Sequence, residues 1–201
     1  MDPGRPLTFA GLAADLLAAP PLLGGTRLVC VDGPAGSGKT TFAGRLAAAL
    51  AGDAELVHLD DLYAGWTLTG AVARLEAGVL GPLAGGRPGA YHRYDWGAGR
   101  FEPDPVPVRA APVLVVEGCG SAPRRLDRWT TLRVWVEAPD ALRVARGLAR
   151  DGAAMAPHWH RWLATEAAEF AREGTRRRAD LRVDGTAGGP GDGHVPLPLP
   201  G

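Results

Sequence analysis

The segment GPAGSGKT at residues 33–40 constrains this chain more than any other part of its sequence. It matches the pattern G-x-x-x-x-G-K-[ST], follows the apolar run RLVCVD (27–32), and precedes an Ala- and Leu-rich segment (39–51) that predicts a helix. A strand, a glycine-rich turn and a helix in this order form a loop whose backbone N–H groups hold phosphate oxygens. With 29 Gly and one Lys in 201 residues, the number of matches expected by chance anywhere in the chain is on the order of 10⁻³. The sequence therefore predicts a P-loop fold and a nucleoside triphosphate ligand.

Each residue type in this loop has a physical reason for its position. The glycines let the backbone curl so that successive N–H groups point inward. Lys39 is the single lysine among 22 basic residues, and its compact ammonium suits the β- and γ-phosphates better than the planar guanidinium of arginine. The Thr40 hydroxyl is placed to ligate Mg²⁺. The predicted ATP-binding residues are Gly33, Pro34, Ala35, Gly36, Ser37, Gly38, Lys39, Thr40 and Thr41.

The remaining sequence predicts strands and helices in alternation. Short apolar runs predict further strands at 55–60, 113–117, 132–137 and 181–183, and helices are predicted at 7–19, 139–150 and 158–173. Continuous apolar strands with helices between them indicate a parallel sheet that is covered on both faces. We therefore expect an α/β fold with a five-stranded parallel sheet flanked by helices. It forms a single domain over residues 1–184, with a mobile lid at roughly 143–157.

Two segments are rich in glycine and proline. Residues 81–112 contain six Gly and six Pro, which predicts a long irregular region, and its aromatic residues favour a functional role over disorder. Residues 185–201 have ten Gly or Pro in seventeen positions, which predicts a disordered tail.

Composition excludes several classes of protein. The 22 basic and 22 acidic residues balance, which argues against a dedicated nucleic-acid binder. No apolar run approaches the ~20 residues of a membrane span, and the N-terminus lacks the basic region of a signal peptide. Two cysteines, Cys30 and Cys119, lie in apolar runs and predict small buried side chains in a reduced, cytoplasmic protein. Because the chain contains no Asn, it cannot carry the N-K-x-D signature of GTPases.

Carboxylates follow two of the predicted strands. Asp60 and Asp61 lie in HLDDLY (58–63), and Glu117 ends the run VLVVE. In an open parallel sheet, the carboxyl ends of the strands line the ligand crevice. One carboxylate of the pair could accept the proton of an attacking hydroxyl, or both could cap a turn. Glu117 is placed to hold Mg²⁺, directly or through water.

Three arginines recur at helical spacing in RVARGLARD (143–151). Arg143, Arg146 and Arg150 lie three and four residues apart, so they share a helix face. Like charges there repel one another unless an anion lies among them, which favours a phosphate-facing lid over a solvated basic face.

The tryptophans carry less information. Trp66 could line an acceptor site or pack in the core. Trp159 and Trp162 are three residues apart on a predicted helix, which is typical of packing.

The ordered set of motifs resembles the uridine kinase family. The segments GPAGSGKTT, LDDLY, YDW, VVEG, VWVEAPDALRVARGLARD and RRRADLRV follow one another in the order seen in that family, over roughly residues 27–185. The resemblance implies a nucleoside-kinase-like enzyme, a phosphotransferase that uses ATP and Mg²⁺ to phosphorylate a hydroxyl of a small acceptor. The neutral charge and the short apolar runs, in turn, predict no nucleic-acid or membrane partner.

The resemblance also implies roles for individual residues. Asp60 corresponds to the general base, and Lys39, Arg146 and Arg150 act with it in catalysis. Glu117 corresponds to the acid at the end of the third strand. The implied acceptor-binding residues are Asp60, Tyr63, Tyr94, Asp95 and Arg143.

The chain departs from the family at the position of a base-recognising histidine, which is Gly99 here, and it has Trp96 where a Phe is expected. The departure leaves alternatives open. The acceptor could be another small metabolite, such as a nucleotide, a sugar acid, a vitamin or an antibiotic. A regulatory module that binds ATP without catalysis is a different class, and an NTP-dependent nucleic-acid enzyme is disfavoured by the neutral charge.

Overall fold

A five-stranded parallel sheet lies at the centre of the protein. The computed structural model describes residues 7–186 and 193–196. Strands in these residues are β1 (Arg27–Asp32), β2 (Ala54–His58), β3 (Gly89–Asp95), β4 (Arg100–Val108), β5 (Val113–Glu117), β6 (Thr130–Glu137) and β7 (Leu181–Asp184). The sheet has the order β2-β5-β1-β6-β7, and every neighbouring pair is parallel. The predicted fold class is therefore confirmed.

Both faces of the sheet are covered, as the continuous apolar strands predict. Successive side chains of a strand point to opposite faces. In β1, Leu28 and Cys30 therefore belong to one buried cluster, and Val29 and Val31 belong to the other. None of these four side chains is accessible to solvent, so β1 is buried from both sides.

Helices supply the two outer layers. They are α1 (Phe9–Ala18), α2 (Lys39–Ala49), α3 (Ala71–Leu75), α4 (Gly81–Ala84), α5 (Asp140–Asp151), α6 (Ala156–Glu173) and α7 (Thr175–Arg178). Phe9 of α1 and Phe42 of α2 pack on the face that carries Val29. Leu75 of α3 and Trp162 of α6 pack on the opposite face. Among the described residues, no helix is both long and apolar enough to cross a membrane.

The interpretation of residues 81–112 as a long irregular region is wrong. Instead, β3 and β4 form an antiparallel hairpin, and a π turn (Glu76–Leu80) joins α3 to α4 before it. The strand β4 contains Pro103, Pro105 and Pro107 at a spacing of two. Since alternate residues of a strand direct their N–H groups to the same side, all three prolines can lie on the edge that faces away from β3. Prolines thus protect this edge from further pairing.

The described end of the chain lies against its beginning. The N–H of Val195 donates to the carbonyl of Leu7 at 2.7 Å, and that of Asp184 donates to Pro196 at 2.8 Å. Val195 is buried. Of the predicted disordered tail, residues 187–192 and 197–201 lie outside the described residues.

The strand order determines which strand ends meet. Because β5 lies between β2 and β1, Glu117 pairs in register with His58 on one side and with Val31 on the other. The segments that follow β1, β2 and β5 consequently converge at one edge of the sheet.

Candidate active site

Residues 33–38 form a tight loop between β1 and α2. Gly36 has φ +76° and Gly38 has φ +103°, backbone conformations that residues with a side chain rarely adopt. A Cβ at Gly36 would also overlap the backbone carbonyl of Arg143. The helix α2 begins at Lys39, so Lys39, Thr40 and Thr41 occupy its first turn. The loop therefore directs a helix N-terminus and its N–H groups toward the cleft, as an anion site requires.

The Lys39 ammonium is held at the mouth of this loop. Its Nζ donates to the carbonyl of Pro34 at 2.9 Å and lies 3.5 Å from Cys119 Sγ. Burial lowers the pKa of Lys39, but the electrostatic effects of Cys119, Glu117 and Asp60 outweigh it, and the net pKa is raised. The side chain is therefore a fixed positive charge in the cleft.

Thr40 and Glu117 form a candidate metal-binding pair. The Thr40 hydroxyl donates to Glu117 Oε1 at 3.0 Å, and the same oxygen lies 2.6 Å from His58 Nδ1. This hydrogen bond to Glu117 raises the pKa of His58. Within residues 7–186 and 193–196, no cluster of three or more His, Cys, Asp or Glu side chains could hold a metal ion by itself. A hydroxyl and a carboxylate suit Mg²⁺ shared with phosphate oxygens, which is how Mg²⁺ usually binds in phosphoryl-transfer sites.

Asp60 and Asp61 point in different directions. They lie in a 3₁₀ turn (Leu59–Leu62) that directly follows β2. Asp60 lines the cleft, whereas Asp61 Oδ2 accepts hydrogen bonds from Tyr91 Oη at 2.9 Å and Arg93 Nε at 3.3 Å. Asp61 thus ties the turn to the hairpin and leaves Asp60 free to face the cleft.

Asp60 is exposed to solvent where it lines the cleft. Partial desolvation of its carboxylate and the nearby charge of Glu117 raise its pKa, while Lys39 and Arg150 oppose the rise. A carboxylate with a raised pKa is a stronger base than an ordinary aspartate, which suits proton abstraction near neutral pH.

Asp32 is a further polar residue of the site, outside the set that the motifs predict. This residue ends β1 and is buried, and its carboxylate accepts N–H hydrogen bonds from Gly33 at 2.7 Å, Gly120 at 2.8 Å and Ala122 at 3.1 Å. Burial raises the pKa of Asp32 to about 6, although these N–H groups act against the rise. Asp32 joins the loops that follow β1 and β5. An acid between the apolar strand and the glycines was the one available signal.

The three arginines of α5 do not share one role. Arg146 and Arg150 line the cleft, and Arg146 Nη1 donates to the carbonyls of Gly185 at 2.9 Å and Gly36 at 3.3 Å. Arg150 pairs with Asp151. Arg143 does not have the predicted acceptor-binding position. Its side chain is buried beneath the loop, where it pairs with Glu166 at 3.0 Å.

Aromatic side chains line the other part of the cleft. Trp66 packs edge-on against Trp96 and Trp162, with ring centroids 5.8 Å apart in both pairs. Tyr63 contacts Trp162, and its hydroxyl donates to the carbonyl of Cys119 at 2.8 Å. Trp96 is 45% exposed, an unusual position for so large an apolar side chain. Most of this aromatic wall is hard to predict from the sequence, because its members are far apart in the chain.

Tyr94 and Asp95, both predicted to bind the acceptor, shape the hairpin. Tyr94 packs against Trp96 and Phe101. Asp95 Oδ1 accepts the N–H groups of Gly97 at 2.8 Å and Ala98 at 2.9 Å, so it closes the turn. Trp96 is the residue of this turn that lines the cleft.

These side chains enclose one cleft of about 820 Å³, large enough for a nucleotide and a second small molecule. We call its two parts the loop half and the aromatic half. The loop half comprises Gly36, Gly38, Lys39, Thr40, Glu117 and Arg146. The aromatic half comprises Tyr63, Trp66, Trp96, Met155, Trp159 and Trp162. Asp60 lies at the border between the halves, near the charges of Lys39 and Glu117.

Solved structures share this architecture. A protein described as a possible uridine kinase from Bacillus stearothermophilus is 18% identical, with a TM-score of 0.62, over 87% of this chain and 96% of that chain. A protein assigned as a fructose transport system kinase from Silicibacter sp. TM1040 is 24% identical, with a TM-score of 0.53, over 89% and 98% of the two chains. The YGR205w protein is 11% identical, with a TM-score of 0.58, over 89% and 95%.

The chain has a P-loop kinase fold. No protein-family model matches the sequence, and no curated protein matches it. At identities below 25% the likeness concerns the fold, so the chemistry has to be argued from the cleft itself.

Proposed function

We propose that this protein is an ATP-dependent kinase that transfers the γ-phosphate to a hydroxyl group of a small, nucleoside-like acceptor. The observation that carries the proposal is the position of Asp60. Its carboxylate lines the same cleft as Lys39, Thr40 and Glu117, at the border between the loop half and the aromatic half. A phosphate site without a facing base would suit a nucleotide-binding module, whereas a base across from the phosphates suits transfer to a hydroxyl.

In the proposed reaction, the acceptor oxygen forms a bond to the γ-phosphorus as the bond to the β–γ bridging oxygen breaks. The hydroxyl proton passes to the Asp60 carboxylate, and the electron pair of the broken bond leaves with ADP. Lys39 and Arg146 lie where they can stabilise the charge on the transferred group. Arg150 lines the same cleft and would act on the same group.

Thr40 and Glu117 would hold Mg²⁺ beside the triphosphate, since their oxygens already lie 3.0 Å apart. A bound Mg²⁺ neutralises part of the charge on the β- and γ-phosphates.

A kinase for another small metabolite is the second candidate. Gly99, which stands where a base-recognising histidine would be expected, lies in the hairpin turn with φ +66° and offers no side chain to an acceptor. The solved structures that share this fold also include a protein assigned as a fructose transport system kinase, which is consistent with acceptors other than nucleosides in proteins of this fold. We expect the protein to act in the cytoplasm, where its two buried cysteines stay reduced.

The test is an ADP-release assay coupled to a panel of nucleosides, sugars and vitamins, with Mg²⁺ and ATP. We expect ADP release that one acceptor class stimulates and that Lys39→Ala abolishes. ATP binding without stimulation by any acceptor would instead favour a regulatory module. Phosphorylation of a non-nucleoside acceptor would support the second candidate.

A further inference from the structure

The backbone N–H and carbonyl of Ala35, in the phosphate loop, both form hydrogen bonds with charged side chains. Its N–H donates to Glu166 Oε2 at 2.8 Å, and its carbonyl accepts from Arg143 Nη1 at 3.0 Å. The same Arg143 nitrogen donates to Glu166 Oε1 at 3.0 Å. The two side chains therefore grip both polar atoms of the Ala35 backbone and also bind each other. With its N–H engaged in this way, Ala35 is not available to donate to a phosphate.

Burying these two charged side chains costs free energy, so the pair calls for a functional reason. The side chains of Arg143 and Glu166 are 6% and 3% exposed. A buried ion pair stabilises a fold little compared with apolar side chains of the same size, because both charges lose their hydration. The Nε of Arg143 also lacks a hydrogen-bond partner among the described residues. Stability of the fold is therefore a weak reason for this pair, and control of the loop conformation is a better one.

We propose that Arg143 and Glu166 are positioning residues that hold the phosphate loop in its binding conformation before the triphosphate arrives. A loop that is already ordered loses less conformational entropy when a ligand binds, so the affinity for phosphate rises. The inference rests on the proposed function, because it assumes that the loop binds a triphosphate.

The same pair connects the two halves of the cleft. Glu166 lies one helical turn after Trp162 on α6, so both side chains project from the same side of that helix. Trp162 packs against Tyr63 and Trp66 of the aromatic half. One rigid helix thus contacts the phosphate loop through Glu166 and the aromatic wall through Trp162.

Two double variants test the proposal. Arg143→Met with Glu166→Leu removes every side-chain hydrogen bond to Ala35 and leaves no buried charge without a partner. Arg143→Met with Glu166→Gln keeps an oxygen that can accept the Ala35 N–H. Arg133→Met is the control, since Arg133 pairs with Asp127 and Asp180 and does not line the cleft. The probes are magnesium tripolyphosphate and magnesium ATP, with affinities measured by calorimetry and unfolding temperatures recorded without ligand.

We expect the leucine double variant to bind tripolyphosphate and ATP at least about tenfold more weakly, and the glutamine double variant to lose about threefold. Both should remain folded, and Arg133→Met should bind both probes like the parent protein. Affinities within twofold of the parent in both folded double variants would overturn the proposal. Weaker binding of ATP alone would also overturn it, because the loop contacts only the phosphates.

If the leucine double variant does not fold, the affinity of the glutamine double variant relative to the parent protein tests the proposal. A parent protein that binds neither probe would refute the proposed function. A parent that binds both, with double variants that bind equally well, would refute only the role of Arg143 and Glu166.

Discussion

The loop half and the aromatic half of the cleft differ in how their residues are brought together. The loop half is mostly local in sequence: Gly36 to Thr40 are consecutive, and backbone groups do much of the binding. The aromatic half is assembled from the turn after β2, the tip of the hairpin and the helix α6. Many polar groups of the loop half are already hydrogen-bonded, whereas the aromatic half presents ring faces and an exposed indole.

Because of this difference, the two halves can recognise different parts of the substrates. Backbone N–H groups and one ammonium recognise phosphate, which any nucleoside triphosphate carries. Ring faces and edges select an acceptor by shape and stacking, which varies from one substrate to another. Changes in the loop half should therefore affect every reaction of the protein, and changes in the aromatic half should affect the choice of acceptor.

Lys39→Ala tests the loop half and should have the largest effect. We expect turnover to fall by at least about 10³-fold, because a preorganised charge that stabilises the transferred phosphate is lost. Lys39→Arg should not restore it, since the ammonium lies close to Pro34 and Cys119 and a planar guanidinium does not fit there. Steady-state ADP release measures both variants. A Lys39→Arg protein with a tenth or more of the parent activity would contradict the argument from size.

Asp60→Asn tests the border between the two halves. We expect kcat to fall by about 10²–10³-fold while ATP affinity stays unchanged, because the amide cannot accept the hydroxyl proton. Asp61→Asn is the matched control, because Asp61 faces Tyr91 and Arg93 of the hairpin. It should lose less than about tenfold. Equal losses in the two variants would mean that the turn, and not the Asp60 carboxylate, matters for catalysis.

The pH dependence of the parent enzyme gives a second measurement on Asp60. The base acts only when it is deprotonated, and desolvation together with Glu117 raises its pKa above the ordinary value of 3.8. Activity should therefore be complete above this raised pKa and be lost as the pH falls through it. The acid limb of kcat/KM should lie above pH 3.8 and should be absent from the residual activity of Asp60→Asn. A limb at the ordinary aspartate value would show that Asp60 is not desolvated in the working enzyme.

The two halves also differ in how far the sequence predicts them. The five parallel strands and the loop at 33–40 were predictable because apolar runs and glycine spacing act over short distances. The hairpin was not predictable, because prolines are typical of loops. Their spacing of two in β4 indicates a strand only once the pairing with β3 is known. The role of Arg143 is hard to predict for a related reason. The spacing places Arg143 on a helix face, but only the packing of α6 against α5 shows that Arg143 pairs with Glu166.

Trp96→Ala tests the aromatic half with little risk to the fold, because this side chain is 45% exposed. We expect the KM of the acceptor to rise about threefold to tenfold, with the KM of ATP unchanged, since the ring contacts Trp66 and faces the cleft. Trp129→Ala is the control, as Trp129 lies outside the cleft. A higher KM for ATP, or an unchanged KM for the acceptor, would contradict the division into two halves.

Gly147→Ala perturbs the contact between the two halves and should have the smallest effect on activity. Gly147 lies on α5 between Arg146 and Arg150, and a Cβ there would overlap the indole ring of Trp159 on α6. Because Trp159 is buried and also donates to Asp151 at 2.9 Å, it cannot move aside freely. We expect the free energy of unfolding to fall by about 1–3 kcal/mol. The KM values of ATP and acceptor should both rise by about twofold to threefold, because α5 and α6 line different halves.

Gly44→Ala is the matched control for this substitution, because Gly44 lies within α2 and no atom would come within 4 Å of its new Cβ. Alanine in a helix interior is favoured over glycine by about 0.5–1 kcal/mol, so this variant should be slightly more stable than the parent. Thermal unfolding and steady-state kinetics compare the two substitutions. If Gly147→Ala raised the KM of one substrate alone, the halves would be independent, and the packing of Trp159 on α5 would not link them.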